Sequence, residues 1–582
     1  MATKSTSTDA VTKLTTPMAE KLHKAKLWQA SRRAPKGASK RHGFSLKPIE
    51  ARRVNIVSEQ LCDDIIERLG PSLERHRGCD LLDINPGASV WSRALHDAIL
   101  PRRHIMMDPS ANEYEPFRQE MMGDRNIEVI PKSGFIWSDL DDVMTSHVDS
   151  HHRRLSPGEQ PERNDTLLVT ANLTTFPKKR LWNFDNIATM ILYQLLSSIR
   201  SSNLFQRYGV VRMLIWVNDD IKRRTIPRSI LGRKRAAFEA ELSCEWIHEV
   251  AGYDIPDASS ERLSLRDQWI QYESAANTLR RMEEQGLVTP PGRETSMLQT
   301  VRADPTLLNQ ELAGHRPPIF QRAFMAELEE MEAEEMEGHG KEDRSRLAKL
   351  RYRDRHLMKN GEVYLELLQL HDSILKMDPA TPEFAAANRD YDERLEGLKK
   401  NQRNEYNLIR DSYHLFRHQP SQSLLWDRRA YEPLAIDPTE FYPNAPTCLL
   451  DIQPKAMDPV FLQHGASSSR SGDYSSLMLR SFFNNTTHPI HPTAMDSVWP
   501  GFADMAREHC PSLWDPAVGG SSMTGHGALT VRTMNETHWT ELVRAWMRWP
   551  FRPDYVQMLG RTTEGDEEDE AGLRGAAQGS SD

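Results

Sequence analysis

Residues 80–109 read DLLDINPGASVWSRALHDAILPRRHIMMDP. Asp80–Ile84 has the apolar run of a buried strand, and Asn85-Pro86-Gly87 forces a bend. Small residues then open a helix over Val90–Ile99, and a second strand over Arg103–Met107 ends at Asp108. A strand, a Gly-containing bend and a helix form the opening of a nucleotide-cofactor loop, in which bare backbone approaches the ligand. An acid after the next strand can accept hydrogen bonds from ribose hydroxyls. Asp83, Asn85, Gly87 and Asp108 are therefore candidate cofactor-binding residues. The glycines expected on either side of Gly87 are missing: Asn85 and Ser89 stand there. Asp108 could equally cap the helix that PSANEYEPF would start.

The pattern continues outward. A helix carrying Ile56, Leu61, Ile65, Ile66 and Leu69 precedes the loop and is expected to stop at Gly70-Pro71. TLLVT (166–170), a long apolar-faced helix over 181–200 and VVRMLIWV (210–217) follow. Strands alternating with helices predict a parallel α/β sheet covered on both faces. TCLLDI (447–452) returns to strand texture, and 470–483 and 536–551 read as helices with apolar faces. Between them, residues 327–337 carry seven acids and 341–355 seven Lys/Arg. That contrast predicts a charged helical insertion, read as a surface hairpin with solvated faces. The expected segments are a basic arm (1–53), an α/β domain (54–255), the insertion (256–440), a last strand with a helical C-terminal subdomain (441–560) and an acidic tail (561–582).

The chain has 582 residues and a net charge of −9, with 38% hydrophobic and 27% charged residues. These values suit a chain with a real core and more than one domain. No apolar run is long enough to span a membrane. The five cysteines form no C-x-x-C pair, which argues against zinc-thiolate sites and a disulfide framework. His151-His152 and the HPIHP histidines His488 and His491 lack metal-ligand company, so no metal is expected. Residues 1–53 hold 13 Lys/Arg against three acids, a composition that suits a mitochondrial presequence, with a retained basic arm as the alternative. There is no nucleophile elbow and no phosphate-binding G-x-x-x-x-G-K.

Two further features point to nucleic acid. IKRRTIPRSILGRKRAAF (221–238) holds Lys222, Arg223, Arg224, Arg228, Arg233, Lys234 and Arg235 directly after a strand, a density suited to phosphate contact. SGFIWS (133–138) offers Phe135 and Trp137, which share a face if the segment is extended and could stack on unpaired bases. ANLTTF (171–176) sits at a strand end, where Asn172 could hydrogen-bond an exocyclic amine beside an aromatic ring.

DLLDINPGASVWSRALHDAILPRRHIMMDP, ANLTTF and VVRMLIWV together resemble the ribosomal RNA adenine dimethyltransferase superfamily. The Pro-Gly turn with Trp91-Ser92, and above all WPFRPD in RAWMRWPFRPDYV (544–556), resemble its fungal mitochondrial transcription factor branch. LLDIQPKAMDP (449–459) and 475–497 are similar to that branch's last strand and helical part. The resemblance spans about 54–255 and 445–560. It implies a Rossmann-like methyltransferase sheet, a mitochondrial matrix location, and a partnership with a single-subunit mitochondrial RNA polymerase on melted promoter DNA. It also implies that Phe135 and Trp137 contact the non-template strand. Departures argue against methyl transfer. Asn85 and Ser89 crowd the cofactor path. The Asn-Leu-Pro-Tyr motif is replaced by Asn172-Leu173-Thr174-Thr175, with the aromatic delayed to Phe176. The acid after the third strand is absent from PKSGFIW (131–137). No cofactor is then required, with S-adenosylmethionine possible as a residual ligand. The alternatives are an S-adenosylmethionine-dependent dimethyltransferase acting on small-subunit ribosomal RNA and a structural ribosomal RNA-binding protein.

Overall fold

Among the described residues, ten strands run in chain order: β1 (Asn55–Ile56), β2 (Asp80–Ile84), β3 (Arg103–Met107), β4 (Ile127–Ile130), β5 (Arg163–Asn172), β6 (Val210–Asn218), β7 (Cys244–Gly252), β8 (Leu434–Ala435), β9 (Phe441–Tyr442) and β10 (Thr447–Pro454). They belong to a computed structural model that describes residues 13–28, 52–123, 125–156, 158–178, 186–254, 266–320, 322–336 and 344–561. Eight form one sheet in the order β4-β3-β2-β5-β6-β10-β7-β8. The strands from β4 to β6 are parallel. β10 runs antiparallel to both neighbours, β6 and β7. The protein is thus a mixed α/β fold around a mostly parallel sheet of the Rossmann-like kind.

This order places the functional end. From β2 the chain steps outward to β3 and β4, then returns to the other flank of β2 at β5. The reversal puts the topological switch point between the carboxyl ends of β2 and β5, where open α/β sheets bind ligands. β2 ends at Ile84, just before the Asn85 turn, and β5 ends at Asn172. Strand β10 is buried along its whole length. Its Asp451 accepts two hydrogen bonds from Arg212 of β6, both 2.7 Å long, in a site with almost no solvent exposure.

Several sequence expectations are adjusted. The first helix of the domain spans Glu59–Leu73 and runs through Pro71, while Ile56 belongs to β1. Pro71 has no N–H to bond the carbonyl of Glu67, and the helix continues past it with that ladder bond missing. The acidic helix Ala323–Met336 and the basic start of Arg344–Leu375 keep their charged side chains largely at the surface. They pair with each other: Arg346 bonds Glu327, and Arg351 bonds Glu332 and Glu335, over a small core of Phe324, Leu328, Leu347 and Leu350. Residues 424–436, placed within the insertion by sequence, pack into the sheet: Leu425 and Trp426 on one face, Tyr431, Leu434 and Ile436 on the other. Part of the basic arm is also packed. Helix Pro17–Lys24, capped by Thr16, buries Met18, Ala19 and Leu22. The helices Ser471–Asn484 and Glu536–Arg548 form a separate C-terminal core around Trp539 and Trp546. Residues 562–582 of the acidic tail lie outside the described residues. Among the described residues, no helix is long and apolar enough to cross a membrane.

Candidate functional site

The loop after β2 places three residues in left-handed backbone conformation: Asn85 (φ 63°), Gly87 (φ 59°) and Ser89 (φ 61°). Asparagine tolerates this region better than serine does. The turn is held by Asn85 N donating to Met107 O at 2.8 Å and by Asn85 Nδ2 donating to Asn172 O at 2.8 Å. Asn85 thus ties the loop to the end of β5. Asp83 faces inward: its Oδ2 accepts from Ser92 Oγ at 2.5 Å and lies 3.4 Å from His104 Nε2.

A strap then closes over the switch point. Residues 52–54 run antiparallel to 174–176, with Phe176 N donating to Arg52 O (2.8 Å) and Val54 N to Thr174 O (3.2 Å). Asn172 Nδ2 donates to Val54 O at 2.9 Å. Phe176 stacks on Trp28 of the arm, with ring centroids 6.2 Å apart, and Trp28 Nε1 donates to Phe176 O. Asn172 and Phe176 are therefore engaged in packing, and Leu173 is a core residue.

The strap also occupies the two groups a nucleoside would use. Arg53 donates to both oxygens of Asp108, at 2.7 and 2.9 Å, with both side chains almost fully buried. Gly87 N donates to Asp108 Oδ2 (3.3 Å) and Ser110 N to Oδ1 (2.8 Å). A carboxylate accepts about four hydrogen bonds, so Asp108 is saturated. Asn55 covers the bare glycine: a Cβ on Gly87 would lie 2.2 Å from Asn55 Oδ1, and that oxygen accepts from Ala88 N. Asn55 Nδ2 donates to Tyr114 Oη, and the Arg53 guanidinium sits 4.9 Å from the Tyr114 ring centre. As arranged, these residues do not fit the ribose of S-adenosylmethionine, because Arg53 and Asn55 hold the acceptors and the close-approach surface. The sequence hid this contact. Arg53 counted only as the last cation of the arm, and the one available signal was the apolar RRVNIV (52–57) following it.

The expected nucleic-acid residues divide. Phe135 is buried in the sheet core and cannot stack on a base. It does not share an extended face with Trp137, because Gly134 packs against Ile84 and a helix starts at Trp137. Trp137 is half-buried and lines an open groove of about 550 Å³ with Gln194, Ser197, Asn203 and Arg207. Lys222 is a buried cation rather than a phosphate contact. Its Nζ lies 2.6 Å from Asp219 and 2.5 Å from Glu249. Burial works against its charge, yet the carboxylates of Glu249 and Asp219 hold the ammonium above its ordinary value. Arg233 is likewise buried: it pairs with Glu241 and donates to the carbonyls of Arg532 and Met534. It therefore joins the sheet domain to the C-terminal core. Arg228 lies over Trp426, 4.0 Å from the ring centre, and 3.4 Å from Glu249. Arg224 and Lys234 are exposed, and Arg223 and Arg235 partly so. Of the seven cations, Lys222 and Arg233 are thus buried in ion pairs and five reach the surface at least in part, because a charge count cannot tell which side chains the fold buries.

No family model matches the chain. It is 27% identical over 150 residues to mitochondrial transcription factor 1 of Lachancea kluyveri, covering 25% of this chain and 40% of that one. The same protein from Saccharomyces paradoxus is 25% identical, and that from Saccharomyces cerevisiae 23%, each over 150 residues and 39% of its length. The chain thus spans about two fifths of the length of these curated relatives. Over that quarter of its own length it is similar to the yeast mitochondrial transcription factor 1 proteins, in line with the fungal branch that its WPFRPD ending resembles.

Proposed function

We propose that the protein is a mitochondrial transcription initiation factor that binds a single-subunit mitochondrial RNA polymerase and stabilises melted promoter DNA without methyl transfer. The observation that carries this reading is the strap: Arg53 saturates Asp108 and Asn55 covers Gly87, both at the switch point of the sheet. A methyltransferase-type sheet then serves as scaffold, and S-adenosylmethionine is not required. The relatives' names support the mitochondrial role. The packing of residues 13–28 on the body supports their retention in the mature chain.

On this reading Trp137 and the surface cations of 223–235 meet the non-template strand. Single-stranded contacts change the salt slope by about 0.7 per phosphate. Replacing Arg224 and Lys234 with alanine is therefore expected to lower the slope of log K against log salt by about 1.4. Trp137→Ala is expected to weaken binding by about 1–3 kcal/mol with the slope retained. Fluorescence anisotropy on single-stranded promoter DNA, with polymerase present, separates the two effects. Unchanged affinity and slope in both variants would place the DNA elsewhere. A preference for ribosomal RNA, with methylation lost in Asn172→Ala, would establish the dimethyltransferase instead.

A further inference from the structure

Helix Arg344–Leu375 carries His371 and Asp372, and His418 caps the end of helix Lys400–Arg417. Forty-six residues separate Asp372 from His418, yet His418 Nε2 lies 2.9 Å from Asp372 Oδ1. His371 Nδ1 lies 3.9 Å from the same oxygen, beyond hydrogen-bond range. The three ligand atoms all fall within 4.8 Å of one another. The His371 side chain is only 3% exposed, and its Nδ1 has no hydrogen-bond partner among the described residues. A buried ring nitrogen without a partner is rare, because desolvation is then uncompensated. Aimed at a carboxylate that already holds a second imidazole, it has the environment of a metal ligand.

We propose that His371 Nδ1, Asp372 Oδ1 and His418 Nε2 bind a divalent first-row transition metal, with Zn²⁺ the best-suited ion, and clamp the two helices together. Two imidazoles and one carboxylate suit zinc, whereas Mg²⁺ and Ca²⁺ favour all-oxygen sets. Zinc bonded tetrahedrally at about 2.0–2.2 Å sets neighbouring ligand atoms roughly 3.3–3.6 Å apart. The site therefore needs side-chain shifts of about 1–1.5 Å. Tyr413 Oη donates to Asp372 Oδ2 at 3.0 Å, fixing the carboxylate in the way ligand carboxylates are commonly held from behind. The Asp372 and His418 side chains are 23% and 19% exposed, which leaves an entry route and room for water as a fourth ligand.

The test uses the full-length protein after chelator treatment, equilibrated with Zn²⁺ and desalted. Elemental analysis is expected to find one equivalent of zinc, and Co²⁺ in its place should give visible d–d absorption bands. Zinc, but not Mg²⁺, should raise the melting temperature by several degrees. The double variant His371→Gln/His418→Gln should lose the equivalent, the bands and the thermal shift while keeping the wild-type circular dichroism spectrum. Should that variant fail to fold, Asp372→Asn is expected to weaken zinc binding at least tenfold. Wild-type protein that retains no zinc would overturn the proposal, as would either variant binding zinc and Co²⁺ as the wild type does.

Discussion

Arg53→Met is expected to lower the free energy of unfolding by about 3–5 kcal/mol, the usual consequence of removing one partner from a buried ion pair. Asp108 would remain buried with only Gly87 N and Ser110 N as donors. A single carboxylate in that setting has lost its countercharge but keeps its desolvation penalty. The companion variant Arg53→Met/Asp108→Asn removes the orphaned charge and is expected to recover most of the loss. Urea unfolding followed by circular dichroism measures both. A loss below about 1 kcal/mol in the single variant would mean that the strap does not hold the switch point closed.

Lys222→Met is expected to destabilise by a similar amount, about 3–5 kcal/mol, because it removes the cation shared by two buried carboxylates, Asp219 and Glu249, and leaves only the half-buried Arg228, 3.4 Å from Glu249, as countercharge. The contrast with Lys234→Ala carries the point. Lys234 is exposed, so its loss should leave stability within about 0.5 kcal/mol while reducing affinity for DNA. Thermal or urea unfolding of the two variants side by side distinguishes a structural cation from a binding one. Equal stability in both would return Lys222 to the phosphate-contacting set.

How much of this was legible in sequence depended on range. β2, β3 and helix Val90–Ile99 were readable because each is a short apolar run bounded by a bend or a proline. β7 lacks a clear strand signature because CEWIHEVAG is broken by Glu245, His248 and Glu249. Glu249 is tolerated inside because Lys222 and Arg228 meet it from outside the strand. β4 is short and only half-buried, so its place before PKSGFIW follows from the family resemblance rather than from local pattern. The TCLLDI strand was visible, but its antiparallel insertion between β6 and β7 was not, since nothing local encodes the direction in which a buried strand enters a sheet. The site followed the same rule. Asp83, Asn85, Gly87 and Asp108 were found at the turn and strand end that local pattern marks. Arg53, 55 residues from its partner Asp108, and His418, 46 residues from Asp372, acquire meaning only through the fold.

The most direct measurement is run-off transcription by the purified cognate mitochondrial polymerase, with and without this protein, on duplex and pre-melted versions of one mitochondrial promoter. Strong stimulation on the duplex and little on the pre-melted template are expected, with S-adenosylmethionine making no difference. No stimulation on the duplex, together with turnover of S-adenosylmethionine on small-subunit ribosomal RNA, would contradict the transcription-factor reading.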